Sequence, residues 1–94
     1  MREIVVLDVK DNVATTLEDL NPGELVCFKS GNRKIEITVL NKINYGHKFA
    51  IMEIKKGQSI IKYGEIIGTA TSNINIGEHV HIHNVIGNRA RSVN

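Results

Sequence analysis

A short spaced pattern recurs in this chain and limits what it can become. Thr16-x3-Leu20-x2-Gly23-Glu24-x-Val26 returns as Ala50-x3-Ile54-x2-Gly57-Gln58-x-Ile60, and again as Ala70-x3-Ile74-x2-Gly77-Glu78-x-Val80. Each copy reads as a small residue, an apolar anchor, a glycine turn with positive φ, and the start of a strand. Three such hairpins can fold over one another and bury their anchors centrally. Turn residues fall about every ten positions elsewhere too: Asp11-Asn12, Asn21-Pro22-Gly23, Ser30-Gly31-Asn32, Gly46, Gly64 and Gly68. That spacing predicts an all-β domain of short strands and hairpins. The expected strands are 3–9, 13–19, 24–29, 34–40, 48–54, 59–62, 65–71 and 78–83. Only 14–20 has helical character. Asn21-Pro22-Gly23 leaves it barely two turns, and Thr15 and Thr16 favour extended chain.

Ninety-four residues, 41% of them hydrophobic, make one domain with a core of Ile, Val and Leu, because Phe28, Phe49, Tyr45 and Tyr63 are the whole aromatic complement. A chain this small buries about two-thirds of its unfolded surface, which favours a partner subunit or a homo-oligomer. Twelve basic and ten acidic residues are spread along it. With no basic stripe and no stacking aromatics, nucleic-acid binding is not expected. No run approaches the roughly 20 apolar residues of a membrane helix, and no signal peptide is read at the N-terminus. The single Cys27 excludes an internal disulfide and is expected to be a buried, inert thiol in a cytoplasmic protein.

The densest chemistry is His79-Val80-His81-Ile82-His83-Asn84, which holds three of the four histidines. As a strand it projects His79, His81 and His83 from one face, with Val80 and Ile82 packed behind. At roughly 3.3 Å per residue, His79 and His83 then stand about 13 Å apart, and His81 with His83 is the better pair. Imidazoles so arranged suit a divalent metal or acid–base work near neutral pH. The bland alternative is a solvated strand whose histidines pair with carboxylates such as Glu78. Gly46-His47-Lys48 sets an imidazole beside an ammonium on a glycine turn, suited to a carboxylate or simply to solvent. In Lys62-Tyr63-Gly64-Glu65-Ile66-Ile67-Gly68, extended chain would send Lys62 and Tyr63 to opposite faces. The two glycines mark a tight bend rather than a phosphate loop.

Four stretches together resemble a known family. They are Asp11-Asn12-Val13-Ala14-Thr15, Gly46-His47-Lys48-x-Ala50, Ile61-Lys62-Tyr63-Gly64-Glu65-x-Ile67-Gly68 and Gly77-Glu78-His79-Val80-His81-x-His83-Asn84. In this order they resemble the N-terminal SAF domain of altronate and galactarate dehydratases, and the separately encoded small subunit of sulfolactate sulfo-lyase. The resemblance implies a β-clip fold over residues 3–86, with 87–94 as a polar tail. It implies a small subunit of a sugar-acid hydro-lyase, acting with a separate large subunit on a hydroxylated carboxylic acid. It implies a divalent metal, iron in the dehydratases, with His79, His81 and His83 as its ligands. His81 and His83 are then the catalytic groups, and His47, Lys48 and Lys62 contact the sugar-acid substrate. Three other readings stand beside it: a sulfo-lyase small subunit, a non-catalytic sugar-acid binding module, and a simple metal-handling protein.

Overall fold

The computed structural model describes residues 2–87, and over them the chain forms short strands and no helix. These are β1 (Ile4–Val5), β2 (Val13–Thr16), β3 (Leu25–Ser30), β4 (Arg33–Thr38), β5 (Lys48–Ala50), β6 (Ser59–Lys62), β7 (Glu65–Ala70), β8 (His79–Val80) and β9 (Val85–Gly87). All pairings are antiparallel. One sheet runs β1-β2-β5-β8, β3 and β4 form a hairpin, and β6-β7-β9 form a third sheet. This is the expected all-β, β-clip domain of short strands and hairpins.

The repeat builds the fold, and it has a fourth copy. Ile43-x2-Gly46-His47-x-Phe49 adopts the same turn as the other three, and Gly23, Gly46, Gly57 and Gly77 all have φ between +82° and +90°. The anchors bridge in pairs, Leu20 to Ile43 and Ile54 to Ile74, each with two reciprocal backbone hydrogen bonds of 2.7–3.0 Å. Each turn also grips a residue of its partner copy. The Gly46 N–H donates to Thr16 O while Thr16 N–H donates to His47 O; Gly23 and Glu24 hold Val39 in the same way. Gly57 and Gln58 hold Ala70, and Gly77 and Glu78 hold Ala50. Thr16, Ala50 and Ala70 are buried, so the small residue at the head of the pattern is the one that must fit inside a neighbour's turn. The two interlocked pairs give two core clusters. One contains Leu20, Val26, Ile43 and Phe49, the other Ile54, Ile60, Ile74 and Val80.

Several expected strands are shorter than 3–9, 13–19, 48–54 and 78–83. The first closes early because Asp8 and Asp11 bend the chain: the buried Asp11 carboxylate accepts from the N–H groups of Leu7, Asp8 and Gly64. The second ends where the Thr16 hydroxyl donates to Glu18 O. β8 stops at Val80, and Gly87, expected in the tail, belongs to β9; residues 88–94 of that tail lie outside the described residues. Cys27 is half-buried rather than buried; its Sγ lies 3.4 Å from Glu36 Oε2, and that carboxylate pushes its pKa up, so it stays a thiol.

The turn glycines are not equally demanding. A Cβ on Gly77 would meet Thr38 O at 2.2 Å, whereas one on Gly57 would meet nothing within 4 Å. Gly57→Ala should therefore lose about 1–3 kcal/mol through the left-handed backbone alone, and Gly77→Ala clearly more. Urea unfolding of both variants checks this, and equal losses would contradict it.

Candidate functional site

The histidines meet through a turn, not along a strand. Beyond Val80 the chain bends, and the buried Asn84 side chain holds the bend. Its Oδ1 accepts from His81 N–H at 2.9 Å and its Nδ2 donates to His79 O at 2.8 Å. An amide side chain that satisfies two backbone groups takes the place of the next ladder partners, so β8 cannot continue to 83. The alternating ridge is thereby replaced. Ile82, expected to pack behind it, is 84% exposed. The His79 and His83 rings, expected 13 Å apart, lie 5.3 Å apart.

His47 joins them from the fourth copy of the repeat. In the other three copies the residue after the glycine is Glu24, Gln58 or Glu78. Its side-chain Oε1 accepts from the backbone N–H three residues earlier, at Asn21, Lys55 and Asn75. Glu78 is thus committed to its own turn. At the equivalent position His47 keeps the backbone turn, donating its N–H to Asn44 O, but its ring is released. That ring stacks on His81 at 4.5 Å and on His79 at 5.1 Å between centroids. His47 Nδ1 and His79 Nε2 are 2.9 Å apart, one donating and the other accepting. Phe49 faces His79 across β5 and β8, and Asn41 Oδ1 accepts from His79 N–H. These contacts fix the ring's base.

The donor set suits a metal ion. One nitrogen each from His47, His79 and His81 lies within 4.8 Å of the others. Imidazole nitrogens bind zinc-like ions at about 2.0–2.1 Å, so modest ring rotation brings three of them around one ion. The set differs from the expected His79, His81 and His83: His47 comes in, and His83 stands exposed on the far flank of His79.

Beside the cluster is a pocket of about 230 Å³ lined by Lys48, His81, Ile60, Ile67 and Val85. Lys48 is half-buried, and burial, reinforced by the Lys62 charge, pushes its pKa down. His81 therefore links the imidazoles to Lys48. A larger groove of about 420 Å³ between β1 and β3 holds none of these residues. Burial first, then the charges of His47, His83, His81 and Lys48, lowers His79 to about 4. Burial, His47, Lys48 and His83 lower His81 as well. Every named neighbour can carry positive charge, and the ion pairs among the described residues lie elsewhere, at Arg2–Glu18, Arg2–Glu24 and Lys55–Glu53. His79 and His81 are thereby held neutral at pH 7 beside the Lys48 ammonium. His47, Lys48 and His81 come together as site residues, with Lys62 in electrostatic range. Asn84 is a positioning residue that the sequence flagged only as a neighbour of His83.

The chain belongs to a family defined by the altronate/galactarate dehydratase SAF domain, whose model matches residues 2–88. It is 39% identical to altronate dehydratase of Bacillus subtilis (strain 168) over 84 residues, 89% of this chain and 16% of that protein. The altronate dehydratase of Escherichia coli (strain K12) is also 39% identical, over 87% of this chain and 16% of its own length. The chain thus spans about a sixth of each dehydratase. It is 34% identical to the (2R)-sulfolactate sulfo-lyase subunit alpha of Chromohalobacter salexigens, over 88% of this chain and 92% of that subunit.

The low His79 value has a sign. In the unfolded chain a histidine titrates near 6.5; in the folded one His79 stays neutral down to about 4. Between those values the unfolded chain holds more protons, so acid favours it. Metal-free protein should lose stability as pH falls from 6.5 to 4, and His79→Gln should lose less over that window. Parallel urea midpoints for the two proteins across it would contradict the assignment.

Proposed function

We propose that the chain is the small subunit of a hydro-lyase that removes water from a hydroxylated carboxylic acid in the cytoplasm, with a separate large subunit completing the active site. The observation that carries this reading is the cluster of His47, His79 and His81, from which His81 opens into a pocket that Lys48 also lines. The family and the subunit-like relative agree with it. Ile82, exposed at the tip of the histidine turn, gives the large subunit an apolar contact beside the pocket.

Elimination requires a base for the proton α to the carboxylate and an acid for the departing hydroxyl. His81 lines the pocket, and its lowered pKa leaves a ring nitrogen unprotonated at pH 7, as a ligand of the ion must be; the base comes from the large subunit. His83, exposed beside His79, is the acid that protonates the leaving group. Lys48 and Lys62 hold the substrate carboxylate and offset the charge that builds on it as the α-proton departs. A divalent ion, Fe2+ by family resemblance, held by His47, His79 and His81, would supply Lewis-acid stabilisation of that charge. The Asn84 clamp keeps His81 in register with the pocket.

A second reading, elimination of sulfite from a sulfonated hydroxy acid, is favoured by the match to 92% of the sulfo-lyase subunit alpha. It uses the same base and the same carboxylate seat and differs in the leaving group. Purified with its large subunit, the chain should support elimination from aldonates, aldarates or sulfolactate. His81→Ala, which removes one ligand of the ion, should lower kcat by at least about 10²-fold, with the complex intact. A fully active His81→Ala complex would rule the role out, and tight sugar-acid binding by a chain with no catalytic effect would make it a binding module.

A further inference from the structure

The groove between β1 and β3 is flanked by two strand edges whose hydrogen-bonding groups are unspent. β1 pairs with β2 alone, and β3 with β4 alone, among the described residues. In β1, Glu3 O accepts from Leu17 N–H, and the register sets Ile4 opposite Thr16. Ladder bonds alternate along an antiparallel pair, so the Ile4 N–H and C=O point away from β2. The Thr16 groups fix that phase, since His47 and Gly46 take both of them on the other side. In β3, Glu24 O accepts from Val39 N–H. Val26, Phe28 and Ser30 then bond to β4, and Leu25, Cys27 and Lys29 turn their backbone groups outward.

The two edges run side by side. Arg2 reaches Glu24 at one end. At the other, a Cβ on Gly31 would stand 3.4 Å from Val9 Cγ1, so residues 2–9 and 24–31 head in the same direction. Between these ties lies the groove of about 420 Å³, with Ile4, Val5, Leu17 and Phe28 as its apolar lining. Its charge is uneven. Arg2 is met by Glu18 and Glu24. Towards the other end Lys29 stands directly opposite Lys34, and both line the groove. Neither has an ion pair among the described residues, and like charges so placed repel. Open strand edges beside apolar surface are a template for a further strand.

We infer that this groove receives an extended segment of the large subunit, apolar at alternate positions and beginning with an acidic residue that meets Lys29 and Lys34. This rests on the reading that a large subunit completes the protein, and it adds the mode of contact, strand addition. Because β1 and β3 head the same way, one strand can run antiparallel to both, as every pairing in this domain does. Its N-terminal end then falls at Lys29, where β3 approaches its turn. The added strand joins the sheet β1-β2-β5-β8 and the β3-β4 hairpin over the core that holds Phe28 and Phe49. The acid relieves the lysine pair, which no group of this chain does.

Hydrogen exchange of the full chain, alone and in complex with its large subunit, tests this residue by residue. In the complex the Ile4, Cys27 and Lys29 amides should exchange at least about tenfold more slowly, while Val26 and Phe28, already bonded to β4, change much less. Lys29→Gln combined with Lys34→Gln should weaken the complex about tenfold or more. The urea midpoint of that variant should stay at or above the wild-type value, because a repulsion is removed; a purely structural lysine pair would lose stability along with affinity. Unchanged exchange at the three amides, equal slowing of all amides from 25 to 29, wild-type affinity of the double variant, or failure to form a complex would overturn the inference. Slowing that grows with the concentration of the chain alone would assign the groove to a second copy and overturn it too. A complex with the groove protected but no turnover keeps this inference and removes the hydro-lyase reading. Turnover with the groove unprotected does the reverse.

Discussion

Four glycine turns, each gripping a strand of its partner copy, hold this domain together. Each grip consists of two backbone hydrogen bonds around one buried residue, Thr16, Val39, Ala50 or Ala70. Every grip is reciprocated within its pair, so no turn can open without releasing an apolar anchor of the other copy. That arrangement gives a chain of this size two closed cores with almost no aromatic content. It also explains why the site can sit on short, irregular segments: the turns on either side of it are already locked.

The site exists because one of the four copies departs from the others. Three turns spend the residue after the glycine on their own backbone, through Glu24, Gln58 and Glu78. The fourth places His47 there and keeps its turn with the bond from His47 N–H to Asn44 O and with the Asp19 carboxylate, which accepts from Tyr45 N–H. Gly46 and Gly77 belong to different interlocked pairs, and His47 meets His79 where β5 and β8 join the two. What results is a group of imidazoles surrounded by cationic side chains and apolar walls. Such an environment keeps His79 and His81 neutral at pH 7, as metal ligation requires.

Much of this was legible in the residues. The repeat at 16–26, 50–60 and 70–80 foretold hairpins, buried anchors and the all-β class, and the four motif stretches pointed to the family. The fourth copy is not legible in the residues, because Val39 is not small and His47 is neither Glu nor Gln, the two features the other copies share. The strand expected over 78–83 failed for a tertiary reason. Alternating residues from His79 to His83 satisfy the strand period, but the Asn84 amide satisfies the His79 and His81 backbone groups first. No periodicity reports that competition. The approach of Lys62 Nζ to within 4.9 Å of the Tyr63 ring centroid was hidden likewise, since it depends on a positive φ that tyrosine rarely adopts.

The central claim is that a break in an internal repeat brings His47 into a metal-binding group with His79 and His81. Crystals of the full chain grown with Co2+, and examined by anomalous scattering at the cobalt edge, test it most directly. The account predicts a single ion bound by one nitrogen from each of those three rings, with His83 outside the coordination sphere. An ion held by His79, His81 and His83 without His47, or cobalt found only at scattered surface sites, would contradict it.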